Sequence, residues 1–326
     1  MALIHVAIGI VLEAGSGQDQ VLVAQRPGDR HQGGLLEFPG GKLERGESAR
    51  EALCRELKEE IGIRVRSPDL EELTRVDHDY GDRQLRLHVF TTRRYAGTPV
   101  GCEGQTLVWR HLTGLRTEEF PAANQGILQV LREPDFILIT GETPRVTELS
   151  PQTLRERLDG WAGNDCLLRV SGGSDSGYRR DFDALCAPAQ EAGVRVLVHG
   201  APQRLEHCPE ATGLHMPWSV AAHFSERPVS RGYRLGVSCH SGTALAHAWD
   251  LGADYAFLSP VRATASHPDR EALGWRLFGA MAQTTRVPIH ALGGLVPADL
   301  SRVREHGGCG VAGIGFWWTS KETCDE

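Results

Sequence analysis

The sequence predicts an α+β domain, a mixed sheet between helices, over residues 1–133, followed by a (β/α)₈ TIM barrel over residues 134–326. Three observations carry that reading. A chain of 326 residues exceeds the usual size of one domain. Residues 5–132 mix strand and helix patterns unevenly, the mark of an α+β arrangement. From residue 135 the rhythm changes to short apolar runs, each followed by a helix-like or polar stretch, as buried parallel strands of a barrel read.

The elements follow in order. HVAIGIVL is short, rich in β-branched residues and preceded by no basic segment, so it reads as a first strand rather than a signal or membrane segment. VLVAQR is a second strand, followed by a glycine-rich turn, one long helix, the strand LRLHVFTT and a helix near NQGILQVLRE. Glu133-Pro134-Asp135 ends that helix, since proline disfavours helical geometry in the residue before it, and the domain boundary is placed there. Eight strand runs come next: FILIT, CLLRVSG, RVLVHG, GLHMP, RLGVSCH, YAFLSPV, VPIHALGG and GVAGIGF. The tail WWTSKETCDE is too short and polar for a full closing helix, which keeps a doubly wound open sheet as the alternative architecture.

Composition narrows the function classes. A net charge of -7 argues against a broad surface for a nucleic-acid polymer, whose nonspecific affinity needs clustered Lys and Arg. The eight cysteines form no C-x-x-C pair, which fits neither a zinc site nor a dense disulfide framework and suits reduced thiols in a cytoplasm. No stretch is long and apolar enough to span a bilayer, so a soluble, cytoplasmic protein is expected.

Ser48 to Gly62 is the most informative segment. Ser48 with Glu51 makes a capping box and Gly62 supplies the stop. Leu53, Leu57 and Ile61 recur every fourth residue and must face the core. Glu56, Glu59 and Glu60 stand at i, i+3 and i+4, on one face, where like charges destabilise a bare helix by tenths of a kcal/mol per pair. A hard dication turns that repulsion into binding, Mg²⁺ by preference with Mn²⁺ as the alternative. A solvated acidic face is the plainer reading of three glutamates taken alone.

The surrounding pattern decides against it. From Gly41 the sequence runs G-x5-E-x7-R-E-L-x-E-E-x-G-I through Glu47, Arg55, Glu56, Leu57, Glu59, Glu60, Gly62 and Ile63. This resembles the Nudix hydrolases, and the resemblance implies that Glu56, Glu59 and Glu60 hold the metal with the Gly40 carbonyl as a further ligand. It also implies that Arg55 orients the carboxylates and that Gly41 lets the loop approach the ion. LEFPGGK, GCEGQ and EEFPAANQGIL extend the likeness to the MutT type, the 8-oxo-dGTP diphosphatases, over residues 3–132. By that likeness Arg26 and His31 contact the sugar-phosphate part of a nucleoside triphosphate, and Glu37, Phe38, Pro39 and Gly40 line its pocket. Lys42 offsets phosphate charge, Tyr80 takes the place of an aromatic beside the base, Asn124 reads the oxidised purine, and Glu103 is a further metal ligand or base. Asn124 also suits helix capping. Water attacks the diphosphate, with Glu56 or Glu103 as the base, releasing a monophosphate and pyrophosphate.

In the second domain, LGVSCHS, GADYAFLSPV and VPIHALGGL resemble the thiamine-phosphate synthase and TenI superfamily. Arg169 matches the pyrophosphate-binding arginine, and Gly293, Gly294 and Gly315 stand where backbone amides hold a phosphate or where tight packing demands glycine. His240 suits proton transfer of the thiazole-tautomerase kind, or a structural hydrogen bond. Ser171, Gly200 and His267 replace charged or metal-binding groups that a synthase needs, so a barrel binding a phosphorylated thiazole-like ligand without synthase activity is expected. The alternatives are a hydrolase of thiamine-pathway diphosphates and a barrel that is a non-catalytic regulatory module.

Overall fold

In a computed structural model, residues 3–13, 20–25, 34–79, 84–170, 174–264 and 271–318 are described. The chain divides into two compact units, Met1–Arg132 and Glu133–Glu326.

The first unit contains β1 (Leu3–Val11), β2 (Gln20–Gln25), β3 (Leu36–Glu37), β4 (Gly40–Lys42), α1 (Ala49–Ile61), β5 (Glu71–Asp79), β6 (Gln84–Thr92), β7 (Thr106–His111) and α2 (Ala122–Leu131). β4-β1-β6-β5 form a mixed sheet in which β1 runs parallel to β6 and antiparallel to β4, and β3-β2-β7 form a second, antiparallel sheet. β1 is apolar on both faces because both are covered. Ala7 and Val11 pack with Leu53, Leu57 and Ile61 of α1, while Ile8 and Ile10 join the core that holds Ile127 and Leu128 of α2. A Cβ on Gly9 would come within 3.1 Å of both Leu53 and Leu57, so this glycine sets how close α1 lies.

The second unit contains β8 (Phe136–Ile139), α3 (Pro151–Leu158), β9 (Asp165–Leu168), α4 (Asp175–Glu191), β10 (Arg195–His199), α5 (Arg204–His207), β11 (Gly213–Met216) and α6 (Trp218–Ala221). It continues through β12 (Arg234–Cys239), α7 (Gly242–Asp250), β13 (Tyr255–Leu258), α8 (Gly274–Thr284), β14 (Ile289–Leu292), α9 (Leu300–Glu305), β15 (Gly310–Gly313) and α10 (Gly315–Trp318). All eight strands are parallel and the barrel is closed, with Val311 of β15 opposite Phe136 of β8. Closure sets aside the open-sheet alternative. At the end of the described chain Trp317 and Trp318 are buried in a single helical turn, in keeping with a tail too short for a full closing helix, and the Trp317 indole donates to the Ile139 carbonyl at 3.0 Å. Two large rings thus do the covering that a longer helix would do. Among the described residues no helix is long and apolar enough to cross a membrane.

Candidate functional site

The ends of α1 are built as the sequence predicts. The Glu51 amide donates to Ser48 Oγ at 3.3 Å, the Ser48 amide donates to the Glu51 carboxylate at 2.8 Å, and Gly62 closes the helix at φ 70°. Burial of Leu53, Leu57 and Ile61 fixes the roll of the helix, and that roll turns the glutamate face toward the β3–β4 segment.

Arg55 organises this face. Its guanidinium donates to Glu47 at 3.1 and 2.9 Å, to Glu56 at 2.9 Å, to Glu59 at 3.2 Å and to the Lys42 carbonyl at 3.2 Å. The forked donor geometry makes this many-sided contact available to arginine and not to lysine. The arginine is held firmly protonated, and Glu47 is kept below the usual carboxylate range by its hydrogen bond from Arg55. Glu60 is different. Its Oε2 accepts from the Gly40 amide at 2.9 Å, yet burial pushes its carboxyl up to about 7, and the charges of Glu56, Glu103 and Glu37 add to the rise.

The glycines beside it are explained by contact. A Cβ on Gly41 would lie 2.2 Å from Glu56 Oε1, the far end of a flexible side chain, so a larger residue there would displace that carboxylate. Gly40 has φ 145°, and a Cβ there would lie 2.1 Å from the Ala7 carbonyl oxygen.

Glu103 is brought to α1 by a residue that sequence reasoning passed over. Gln105 donates to the Glu60 carbonyl at 2.8 Å and accepts from the Glu103 amide at 2.8 Å, while the Cys102 amide also donates to the Glu60 carbonyl at 2.8 Å. The signal was present as the last letter of GCEGQ. Phe38 lies in the core, stacked on Phe120 with ring centroids 5.1 Å apart. It ties LEFPGGK to EEFPAANQGIL. Pro39 is buried with it, Glu37 is half-buried, and Lys42 is exposed. Asn124 is 8% exposed within α2, whose cap is Pro121 without any side-chain hydrogen bond, so the capping alternative for Asn124 does not hold. Arg26, His31, Tyr80, Ser171 and His267 lie outside the described residues.

Among the described residues, no group of three or more His, Cys, Asp and Glu is gathered closely enough to grip an ion. Arg55 draws Glu56 and Glu59, and the Gly40 amide holds Glu60. The donor set itself suits a hard dication: a half-buried carboxylate, crowded by three like charges, whose anionic form a cation would relieve.

In the barrel, Arg169 follows β9 and lies 3.9 Å from Glu142, and its amide donates to Thr140 Oγ1 at 2.8 Å. His199 at the end of β10 is held down to about 4 by burial, with Arg169 and Arg204 reinforcing the effect. His240 is exposed, and its Nδ1 donates to the Ser259 carbonyl at 2.8 Å, which makes Nε2 the basic nitrogen. Gly293 and Gly294 have φ 107° and 66°, and side chains there would strike Pro260 and the Ala263 carbonyl, so packing accounts for both. At Gly315 a Cβ would meet nothing within 4 Å. Gly200 follows β10 and donates its amide to the His215 carbonyl at 3.0 Å. Inside the barrel, and unforeseen from sequence, His215 pairs with Ser238 Oγ at 2.8 Å and the Tyr255 hydroxyl at 3.2 Å.

Residues 10–130 match the family described as NUDIX domain, and residues 136–315 match that described as thiamine monophosphate synthase. The chain is 35% identical over 132 residues to the 8-oxo-dGTP diphosphatase of Escherichia coli strain K12, covering 40% of this chain and 98% of that protein. It is 38% identical over 109 residues to the CTP pyrophosphohydrolase of the same organism, covering 33% of this chain and 76% of that protein. It is 31% identical over 152 residues to the thiamine-phosphate synthase of Parasynechococcus marenigrum strain WH8102, covering 45% of this chain and 42% of that protein.

Proposed function

The chain belongs to the NUDIX-domain family in its first unit and to the thiamine monophosphate synthase family in its second, and from that membership we propose that it is a metal-dependent diphosphatase acting on an oxidised nucleoside triphosphate of the 8-oxo-dGTP kind. The observation that carries this reading is Glu60, half-buried and hydrogen-bonded to the Gly40 amide, with Glu56, Glu103 and Glu37 around it. Glu56, Glu59, Glu60, Glu103 and the Gly40 carbonyl would hold the ion, Mg²⁺ by preference. Bound there, the ion supplies a more acidic water and neutralises charge on the phosphoryl oxygens. The chain's own residues do the rest. Arg55 keeps Glu56 and Glu59 in place. Glu56 or Glu103 takes the proton of the attacking water, Lys42 offsets phosphate charge, and the buried Asn124 amide reads the base. Arg26, His31, Glu37 and Tyr80 complete the substrate contacts. Products are a monophosphate and pyrophosphate.

A second substrate class is favoured by the barrel's own family: diphosphates of thiamine metabolism. The two are separated by assaying the purified full chain with Mg²⁺ on 8-oxo-dGTP, dGTP, CTP and thiamine diphosphate. Highest kcat/KM on 8-oxo-dGTP, abolished by chelator and by Glu60→Gln, supports the first reading; highest kcat/KM on thiamine diphosphate supports the second.

For the barrel, we infer binding of a phosphorylated thiazole-like molecule, with its phosphate toward Arg169 and Gly315 and His240 as the group that transfers a proton. Joining of thiazole and pyrimidine halves is not expected, since Gly200 carries no metal-binding side chain and Ser171 and His267 bring no fixed charge. Titration of the full chain with thiazole phosphate tests the binding; failure to bind leaves a regulatory or scaffolding module.

A further inference from the structure

Three polar side chains meet in the apolar interior of the barrel, each from a different strand: His215 of β11, Ser238 of β12 and Tyr255 of β13. None of them has a role in the site described above. Gly236 makes room for the meeting. It stands opposite His215 on one side and Tyr255 on the other, and a Cβ there would lie 2.5 Å from both His215 Nδ1 and the Tyr255 hydroxyl oxygen. The His215 ring is stacked on Phe257 with centroids 4.1 Å apart, which holds its plane.

Burial decides where the hydrogens of this cluster lie. His215 is 1% exposed, and burial holds its imidazole well below the ordinary histidine range, so the ring is neutral, with one N–H and one bare nitrogen. Tyr255 is fully buried, and burial keeps its phenol protonated. Among the described residues the Tyr255 hydroxyl has one hydrogen-bond partner, His215 Nδ1 at 3.2 Å. If Nδ1 carried the ring proton, that hydroxyl would have to accept, and its own hydrogen would point into a dry core. If Nε2 carries it, Tyr255 donates to Nδ1, Nε2 donates to Ser238 Oγ at 2.8 Å, and every donor in the core is used. An orphaned buried donor is the costlier outcome, so the second arrangement holds. Ser238 then receives a hydrogen bond from inside the barrel and keeps its own hydrogen to give. Its Oγ has no other hydrogen-bond partner among the described residues. It is half-buried near the C-terminal end of β12, the end at which barrels carry their sites, two residues before His240.

We propose that Tyr255 and His215 are positioning residues that fix Ser238 as a hydrogen-bond donor at the mouth of the barrel, so that the site selects a ligand presenting an acceptor atom there. An isolated serine hydroxyl aims its hydrogen at whichever acceptor is present; with Nε2–H against its oxygen, the hydrogen of Ser238 turns outward. The inference rests on the reading of the barrel as a site for a phosphorylated small molecule and adds to it the residues that set the polarity of one contact.

Two measurements on the full chain test it. The first needs no ligand: in protein with isotope-labelled histidine, long-range proton–nitrogen correlations show which ring nitrogen of His215 is protonated, its signals being those displaced in both Ser238→Ala and Tyr255→Phe. Protonation at Nε2 is expected; protonation at Nδ1, or a charged ring at neutral pH, overturns the proposal. The second is calorimetric titration with thiazole phosphate. Ser238→Ala should weaken binding about tenfold and Tyr255→Phe about threefold or more. The double variant should bind no more weakly than Ser238→Ala alone, because Tyr255 acts through Ser238. Unchanged affinity in Ser238→Ala, or the same loss from Tyr255→Phe whether or not Ser238 is present, overturns the proposal by reducing the cluster to packing. Should the wild-type chain fail to bind thiazole phosphate, the reading of the barrel falls, while the protonation of His215 still decides whether the relay exists.

Discussion

Gly40 and Gly41 are neighbours in sequence, yet a methyl group at each should have opposite consequences. At Gly41 the added Cβ would meet Glu56 Oε1 at 2.2 Å and Cδ at 2.3 Å, with no positive φ to strain. The obstacle is the far end of a flexible side chain, so the carboxylate swings aside at a stability cost of about 1 kcal/mol or less. Activity pays instead. With Glu56 displaced from its 2.9 Å contact with Arg55, an ion ligand and one of the two possible bases are misplaced, and kcat/KM should fall about 10²- to 10³-fold, or roughly 3 to 4 kcal/mol. At Gly40 the Cβ would lie 2.1 Å from a backbone oxygen of β1 at φ 145°. Nothing there can rotate away, and strain plus collision should cost about 3 kcal/mol or more. In thermal unfolding of the full chain, Gly41→Ala should shift the transition by less than about 4 °C and Gly40→Ala by about 10 °C. Pyrophosphate release with 8-oxo-dGTP and Mg²⁺ gives the activity. Wild-type turnover in Gly41→Ala, or equal thermal shifts in the two variants, would refute the assignment of Glu56 to the reacting centre.

Further outcomes follow from the same contacts. Arg55→Lys keeps the charge but loses the fork that spans Glu47, Glu56 and Glu59, and kcat/KM should drop about 100-fold with little thermal change; full activity would mean that only charge matters. Gln105→Glu keeps the shape but cannot donate to the Glu60 carbonyl, so turnover should fall about tenfold, and a normal rate would detach Glu103 from the site. Asn124→Ala should reduce the preference for 8-oxo-dGTP over dGTP by about 1–3 kcal/mol, whereas equal loss on both substrates would make its role structural. His199, held down to about 4 in the fold against an ordinary 6.5, must stay neutral, so its contribution is present above pH 6.5 and is lost as pH falls toward 4. Urea midpoints of His199→Asn should therefore gain on wild type between pH 7 and pH 5, and a difference constant with pH would show that this histidine does not titrate with folding.

By itself, the sequence determined what local chemistry determines. The α1 helix was legible to the residue because its start, stop and apolar face are all written within fifteen consecutive positions, Ser48 to Gly62. The eight barrel strands were legible because burial on both faces leaves an unbroken apolar run. β5 and β7 were not named in advance: EELTRVDHD and TLVWRH carry too many polar residues to read as apolar runs, and only their partners β6 and β2 reveal them as strands. What the tertiary structure decided is which distant residues meet. Closure of the barrel depends on β15 finding β8 across the whole second unit, a pairing that no window of sequence contains. Phe38 within LEFPGGK stacks its ring on Phe120, 82 positions away. Gly41 leaves room for the Glu56 carboxylate, and Glu103 reaches α1 because of Gln105. A motif specifies a residue's chemistry and its near neighbours; long-range packing, which answers to the shape of the entire core, assigns the partner it meets.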